Sequence, residues 1–235
     1  MAKSNFFKKA LGFFKLYEWF LLISIITLNI TVSIINKEFS PISTIAVVSG
    51  VLCVVLVAKR HISNYIFGLI QVSLYAYISW GVGYWGEVAL NALYYVPMQF
   101  IGFALWRKRL KEGSKTEVKS RRLSDEHRVL IFVASLVLVL IGAQILARFD
   151  DPAPYLDSLT TVLSIIAMLL MVNTYSEQWY LWIVVNLATI TMWLIVYLNG
   201  NPNALVVCTM WIVYLFNSIN GLIQWRKHDA LKKHI

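Results

Sequence analysis

The stretch "GFALWRK", residues 102–108, returns as "GLIQWRK" at residues 221–227, 119 positions later, and each copy closes a group of three apolar runs. Basic residues after a tryptophan are common where a helix leaves a membrane, so the match needs support from its surroundings. Tyr95 pairs with Tyr214 at the same offset, and an offset of 115 earlier in the groups pairs Gln71 with Asn186. Four extra residues in the "NGNPN" region absorb the change. A duplicated helix group sets the architecture before any single motif does.

Working outward, hydrophobic residues make up 59% of the 235 and charged residues only 14%, against about 25% charged in soluble domains. Runs long enough to cross a bilayer, roughly 17–25 residues, recur along the chain near 17–36, 43–58, 62–80, 86–106, 128–147, 157–175, 178–198 and 204–225. The expected class is an all-α integral membrane protein. If the two three-span groups are parallel, one further span must lie between them to restore the direction of entry. "VLIFVASLVLVLIGAQILA" is that linker. The predicted layout is a basic N-terminus (1–16), an extra helix (17–36), a first three-helix repeat (43–106), a basic loop (107–127), a linker helix (128–147), a second repeat (157–225) and a tail (226–235).

Lysine and arginine give the orientation, because they are retained on the cytoplasmic side. With the N-terminus inside, 19 of the 21 fall in cytoplasmic segments, nine of them between Arg107 and Arg128, leaving Lys37 and Arg148 outside. The +9 net charge is then topological and implies no nucleic-acid partner. No cleavable leader is read in "MAKSNFFKKALGFFK", where Phe6, Phe7, Leu11, Phe13 and Phe14 alternate with lysines. That pattern suits either an interfacial segment or a basic flank of the first span. The expected location is the inner (plasma) membrane, multi-pass, with both termini cytoplasmic and the lipid bilayer as solvent.

Catalysis and metal chemistry find no footing. None of the twelve acids lies mid-span: Glu18, Glu87, Asp157 and Glu177 are all near helix ends. A buried carboxylate relay, the mark of ion-driven pumps, is not expected. Cys53 and Cys208 lie in apolar runs, and His61, His127, His228 and His234 fall near span ends or in basic tails. No metal site, cofactor or nucleophile–base pair is predicted.

Uncharged polar and aromatic residues instead share helix faces. Span three carries Gln71 and Tyr75; span four carries Asn91, Tyr94, Tyr95 and Gln99; span seven carries Trp179, Trp182 and Asn186; span eight carries Trp211, Tyr214 and Asn217. Amides also bind membrane helices to one another, so packing competes with ligand contact at each of these positions. Gly68, Gly102 and Gly221 read as close-packing sites, and Trp80, Trp85, Trp106 and Trp225 as interface anchors at span ends.

The Trp-x-x-Trp pattern at 179–182 and "NALYYVPMQFIGFALWRK" at 91–108, set in a layout of three plus one plus three spans, resemble the PnuC family of nicotinamide riboside transporters, whose fold is similar to that of SWEET sugar transporters. The likeness covers about residues 40–228. It implies facilitated diffusion of nicotinamide riboside by alternating access. An intracellular kinase would trap the substrate by phosphorylation, linked in function and not necessarily in contact. It also implies a substrate site built from the twelve residues above, and a homo-oligomer, plausibly a trimer. Transporters of thiamine, riboflavin or deoxynucleosides resemble the same family and are the rival substrates. A receptor or assembly subunit docking through 107–128 is the rival class.

Overall fold

A computed structural model describes residues 14–35, 41–81, 88, 90–110, 112, 114–149, 153–200 and 204–231, and these form eight helices with no strand beyond isolated bridges. In chain order they are α1 (Leu16–Ile35), α2 (Pro41–Ala58), α3 (Asn64–Gly81), α4 (a π-turn Leu90–Tyr95 leading into Val96–Lys108), α5 (Asp125–Ala147), α6 (Pro154–Val172), α7 (Gln178–Leu198) and α8 (Ala204–Leu231). Three segments are long and apolar enough to cross a membrane, Asp125–Ala147, Pro154–Val172 and Gln178–Ile195; Leu16–Leu28 and Thr44–Ala58 are shorter apolar stretches. The N-terminal Phe/Lys segment, Trp85 and Glu87 lie outside the described residues.

Several boundaries differ from the sequence reading for local reasons. Helix α6 starts three residues early because Pro154 suits a first turn, where its missing N–H is no loss. Helix α5 starts at Asp125, capped by Ser124, whose hydroxyl accepts from the His127 amide. In α4, Pro97 cannot donate to the helix ladder, and the backbone before it runs as a π-turn. Helix α8 continues to Leu231, because a helix need not end where it leaves the apolar layer.

The ends of α2 and α6 are built alike. Arg60 and Thr174 both take positive φ, 59° and 61°, a conformation uncommon outside glycine. At each end the bonds are those of a Schellman turn. Arg60 N–H reaches Val57 O and His61 N–H reaches Leu56 O; Thr174 reaches Met171 and Tyr175 reaches Leu170. These partners are 114 residues apart, one fewer than the offset read from sequence. Val72, not Gln71, therefore occupies the place equivalent to Asn186, and the later shift to 119 takes five extra residues.

The contacts between the two helix triplets are reciprocal as well. Within the triplets α2 packs on α3 and α3 on α4, while α6 packs on α7 and α7 on α8; across them, α4 meets α6 and α8 meets α2. Trp106 of α4 donates its indole N–H to Met171 O at 3.0 Å, and Trp225 of α8 donates to Val57 O at 3.1 Å. Gly102 faces the ring of Tyr65, and Gly221 faces the ring of Trp179. Helix α1 lies against α2 and α8. It is fixed at one end by Glu18, fully buried and paired with Lys59 at 2.7 Å. Helix α5 touches only α6 among the described helices, which leaves most of its surface, including Phe132 and Leu136, exposed.

The segment 114–124 is a strap across the end of the bundle. It gives Thr116 O to Ile62 N–H and Val118 N–H to Arg60 O on one turn, then Arg121 N–H to Thr174 O and Arg121 O to Ser176 N–H on the other. Turns leave backbone groups in need of partners, and one segment serves the same groups of both. Val118 is fully buried, and Ser120 pairs with His228 at 2.8 Å.

Candidate functional site

Four of the polar residues singled out from sequence, Gln71, Gln99, Tyr214 and Asn217, lie beside α2, a helix that carried none of them. A methyl group on Gly50 would lie 3.1 Å from Gln71 Cγ and 3.2 Å from Tyr214 Oη, so α3 and α8 bring these two side chains together over the α2 backbone. Trp211 stands edge-on to Tyr214, with ring centres 5.6 Å apart. One turn further along α8, Asn217 donates to Val54 O at 3.0 Å. Its side-chain oxygen is buried without a partner. Gln99 of α4 lies against Gly68 of α3, close to Cys53, and its Oε1 is likewise buried without a partner.

On α7, Asn186 is buried and donates to Ser218 Oγ of α8 at 2.9 Å. Trp182, one turn earlier on the same face, is half-buried and packs with Tyr94 and Tyr95 against the main apolar cluster. The two tyrosine rings are 5.2 Å apart, and Tyr94 OH donates to Ile165 O at 2.9 Å, tying α4 to α6. Asn91 is buried in the π-turn, and Tyr75 on α3 is the exposed member of the twelve. Buried acceptors left without hydrogen bonds cost about 1–3 kcal/mol each, so Gln99 Oε1 and Asn217 Oδ1 are places where a ligand's N–H or O–H groups would be welcome.

Trp179 has a different setting from its neighbour Trp182. It is 2% exposed, edge-on to Trp225 at 6.0 Å. Trp225 lies 6.3 Å from Trp106, which meets Tyr65 at 5.1 Å. The four rings form a plug between the gathered polar residues and the strap. Interface anchoring is thereby corrected for Trp106 and Trp225, both fully buried. Each indole N–H of the central pair is spent on a carbonyl of the other triplet, which an anchor in the headgroup layer would not do. Trp80, 62% exposed, keeps the surface position an anchor needs.

Sequence reasoning missed the share of α2: Gly50 and Cys53, with the Val54 carbonyl. The signal was faint but present, a Ser-Gly pair inside an otherwise β-branched run. No lysine, arginine, aspartate or glutamate belongs to the gathered set, and no group of three or more metal-ligating side chains occurs among the described residues. The chemistry of the set is that of uncharged amides, phenols and indoles, with two open acceptors at Gln99 and Asn217.

Comparison with known proteins gives a consistent result. The family model for the nicotinamide mononucleotide transporter matches residues 40–227. The chain is 41% identical to the nicotinamide riboside transporter PnuC of Neisseria mucosa, over 93% of this chain and 83% of that protein. It is 35% identical to the protein of the same name from Haemophilus influenzae, over 79% of each. The fold matches a crystal structure of the vitamin B3 transporter PnuC with a TM-score of 0.76 and 40% identity, covering 94% of both chains. With this family match and several apolar helices the chain is a multi-pass membrane protein, and it belongs to the PnuC family of membrane transporters.

Proposed function

We propose that this chain carries nicotinamide riboside across the inner membrane by facilitated diffusion, and that a kinase inside the cell traps the product by phosphorylation. The observation that carries this reading is the meeting of uncharged amides and rings across the two triplets, Gln71 with Tyr214 over Gly50 and Asn217 on the Val54 carbonyl, with Gln99 beside Gly68, Trp182 on the shared apolar cluster and Asn186 bonded to Ser218 next to Asn217. The pyridinium ring is a cation that indole and phenol faces attract. Its carboxamide and the ribose hydroxyls match the open acceptors at Gln99 and Asn217, since an amide oxygen accepts two hydrogen bonds. Relatives are named for the riboside and the family model for the mononucleotide. The lack of basic side chains in the gathered set favours the riboside, because a phosphate dianion there would lose its hydration without a partner.

The reciprocal contacts support two parallel three-helix repeats joined by α5, a 3+1+3 core with α1 added. Alternating access is then rocking of one repeat against the other. The bundle is closed at the strap end, and opening there breaks Trp106–Met171 and Trp225–Val57 together. The basic loop supports cytoplasmic termini, and the strap end is then the inner one. A homotrimer, as the resemblance implies, belongs to the same reading. The test is riboside binding by calorimetry to purified Trp182→Ala and Asn186→Ala. Each is expected to weaken binding about tenfold or more while remaining folded, the loss that a buried contact of about 1–3 kcal/mol gives. Wild-type affinity in both variants would remove the site from this face of α7.

A further inference from the structure

Away from the gathered polar residues, a cavity of about 610 Å³ lies between α5, α6 and α7, touched at its strap end by α8. Its walls are apolar: Ile131, Phe132 and Leu136 of α5, Leu159 and Leu163 of α6, and Leu181 of α7. Phe132 and Leu136 are exposed on the flank of the bundle, so the cavity is a groove open to the membrane. Its mouth holds Arg122, Arg128 and Arg226 against one lining carboxylate, Glu177. Glu177 is engaged by Arg128 at 2.9 Å, Arg128 also reaches Asp125, and the Arg226 guanidinium lies over the Tyr180 ring with a hydrogen bond to its hydroxyl.

Length and polarity say what fits. The lining runs from Arg128 to Val139 on α5 and from Leu170 back to Leu159 on α6, in each case about 16 Å at 1.5 Å per residue. That is about half of a hydrocarbon core of roughly 30 Å, the depth of one leaflet. Ser135 lines the groove at 7% exposure, and its hydroxyl is buried without a partner. It stands about 10 Å below Arg128 by the same rise, within the apolar depth of the groove.

We propose that this groove binds one anionic phospholipid from the leaflet at the strap end, with the phosphate among the guanidiniums and an acyl chain between α5 and α6. The lipid then fills the seam that α5, packed only on α6, leaves beside α7. The test is native mass spectrometry of the full chain, delipidated in detergent and titrated with phosphatidylglycerol or phosphatidylcholine. One phosphatidylglycerol per chain is expected, held about tenfold more tightly than phosphatidylcholine, as juxtamembrane arginines favour anionic lipid. Arg122→Gln/Arg226→Gln should erase that preference, and Leu163→Trp, which fills the groove, should remove the bound lipid. Riboside binding should persist in both variants, which separates lipid loss from misfolding and from failure of the transport site. Equal retention of the two lipids by the wild type, or unchanged phosphatidylglycerol binding in the double variant, would overturn the proposal. So would a Leu163→Trp chain that loses its oligomeric mass while keeping its lipid, because the groove then seats a second copy.

Discussion

Gly102 and Gly221 are small because Tyr65 and Trp179 leave no room. A Cβ at either position would collide with a ring, and a ring cannot fold away as a flexible side chain can. Gly102→Ala and Gly221→Ala should each destabilise the protein by about 1–3 kcal/mol, the usual cost of overpacking; thermal unfolding in detergent measures it. Gln99 is expected to behave oppositely. Its buried Oε1 lacks a partner, so Gln99→Met should leave the unliganded protein as stable or more so while weakening riboside binding about tenfold. A fall in stability with affinity intact would mark Gln99 as packing. At this scale the sequence identified the packing glycines and most of the gathered amides. It misread Trp106 and Trp225, because a tryptophan at a span end looks the same whether it faces lipid or lies beneath a strap.

The strap is the element that hydropathy hid. Nine basic residues marked 107–128 as a loop on one side of the membrane, yet Val118 is fully buried and the segment pairs with both Schellman turns. Neither turn announces itself, since the left-handed positions are Arg60 and Thr174, not glycine. The pairings also cross about fifty residues, beyond the reach of local pattern. Val118→Asp, which buries a carboxylate, should speed amide exchange at Ile62, Arg121 and Ser176, three of the four N–H groups bonded between the strap and the two turns. Unchanged exchange would mean that the strap is held without Val118. The strap should also loosen in acid. Burial pushes the His61 imidazole below its ordinary value, with Lys59 acting the same way and Glu117 opposing. A depressed value means that its share of stability is present above the unfolded histidine pKa and lost as pH falls through the folded one. Amide exchange of Val118 followed from neutral to acid should accelerate there, and His61→Gln should remove that step.

For the whole molecule, the contacts of the two helix triplets are reciprocal. The "WRK" match located the ends of the two triplets. It gave no sign that Trp106 and Trp225 reach across to Met171 and Val57, the equivalent carbonyls of opposite triplets. The repeat is not symmetric in its polar residues: by the spacing of the two turns Val72 stands where Asn186 does, so the sequence offset slipped by one there. The central claim is that this uncharged site carries the riboside and not its phosphate. The most direct measurement is uptake of labelled nicotinamide riboside and nicotinamide mononucleotide into proteoliposomes containing the purified chain, with and without an imposed proton gradient. The account predicts saturable riboside uptake that stops at equal concentration inside and out, is insensitive to the gradient and is absent for the mononucleotide. Uptake of the mononucleotide at a comparable rate, or riboside accumulation driven by the gradient, would contradict it.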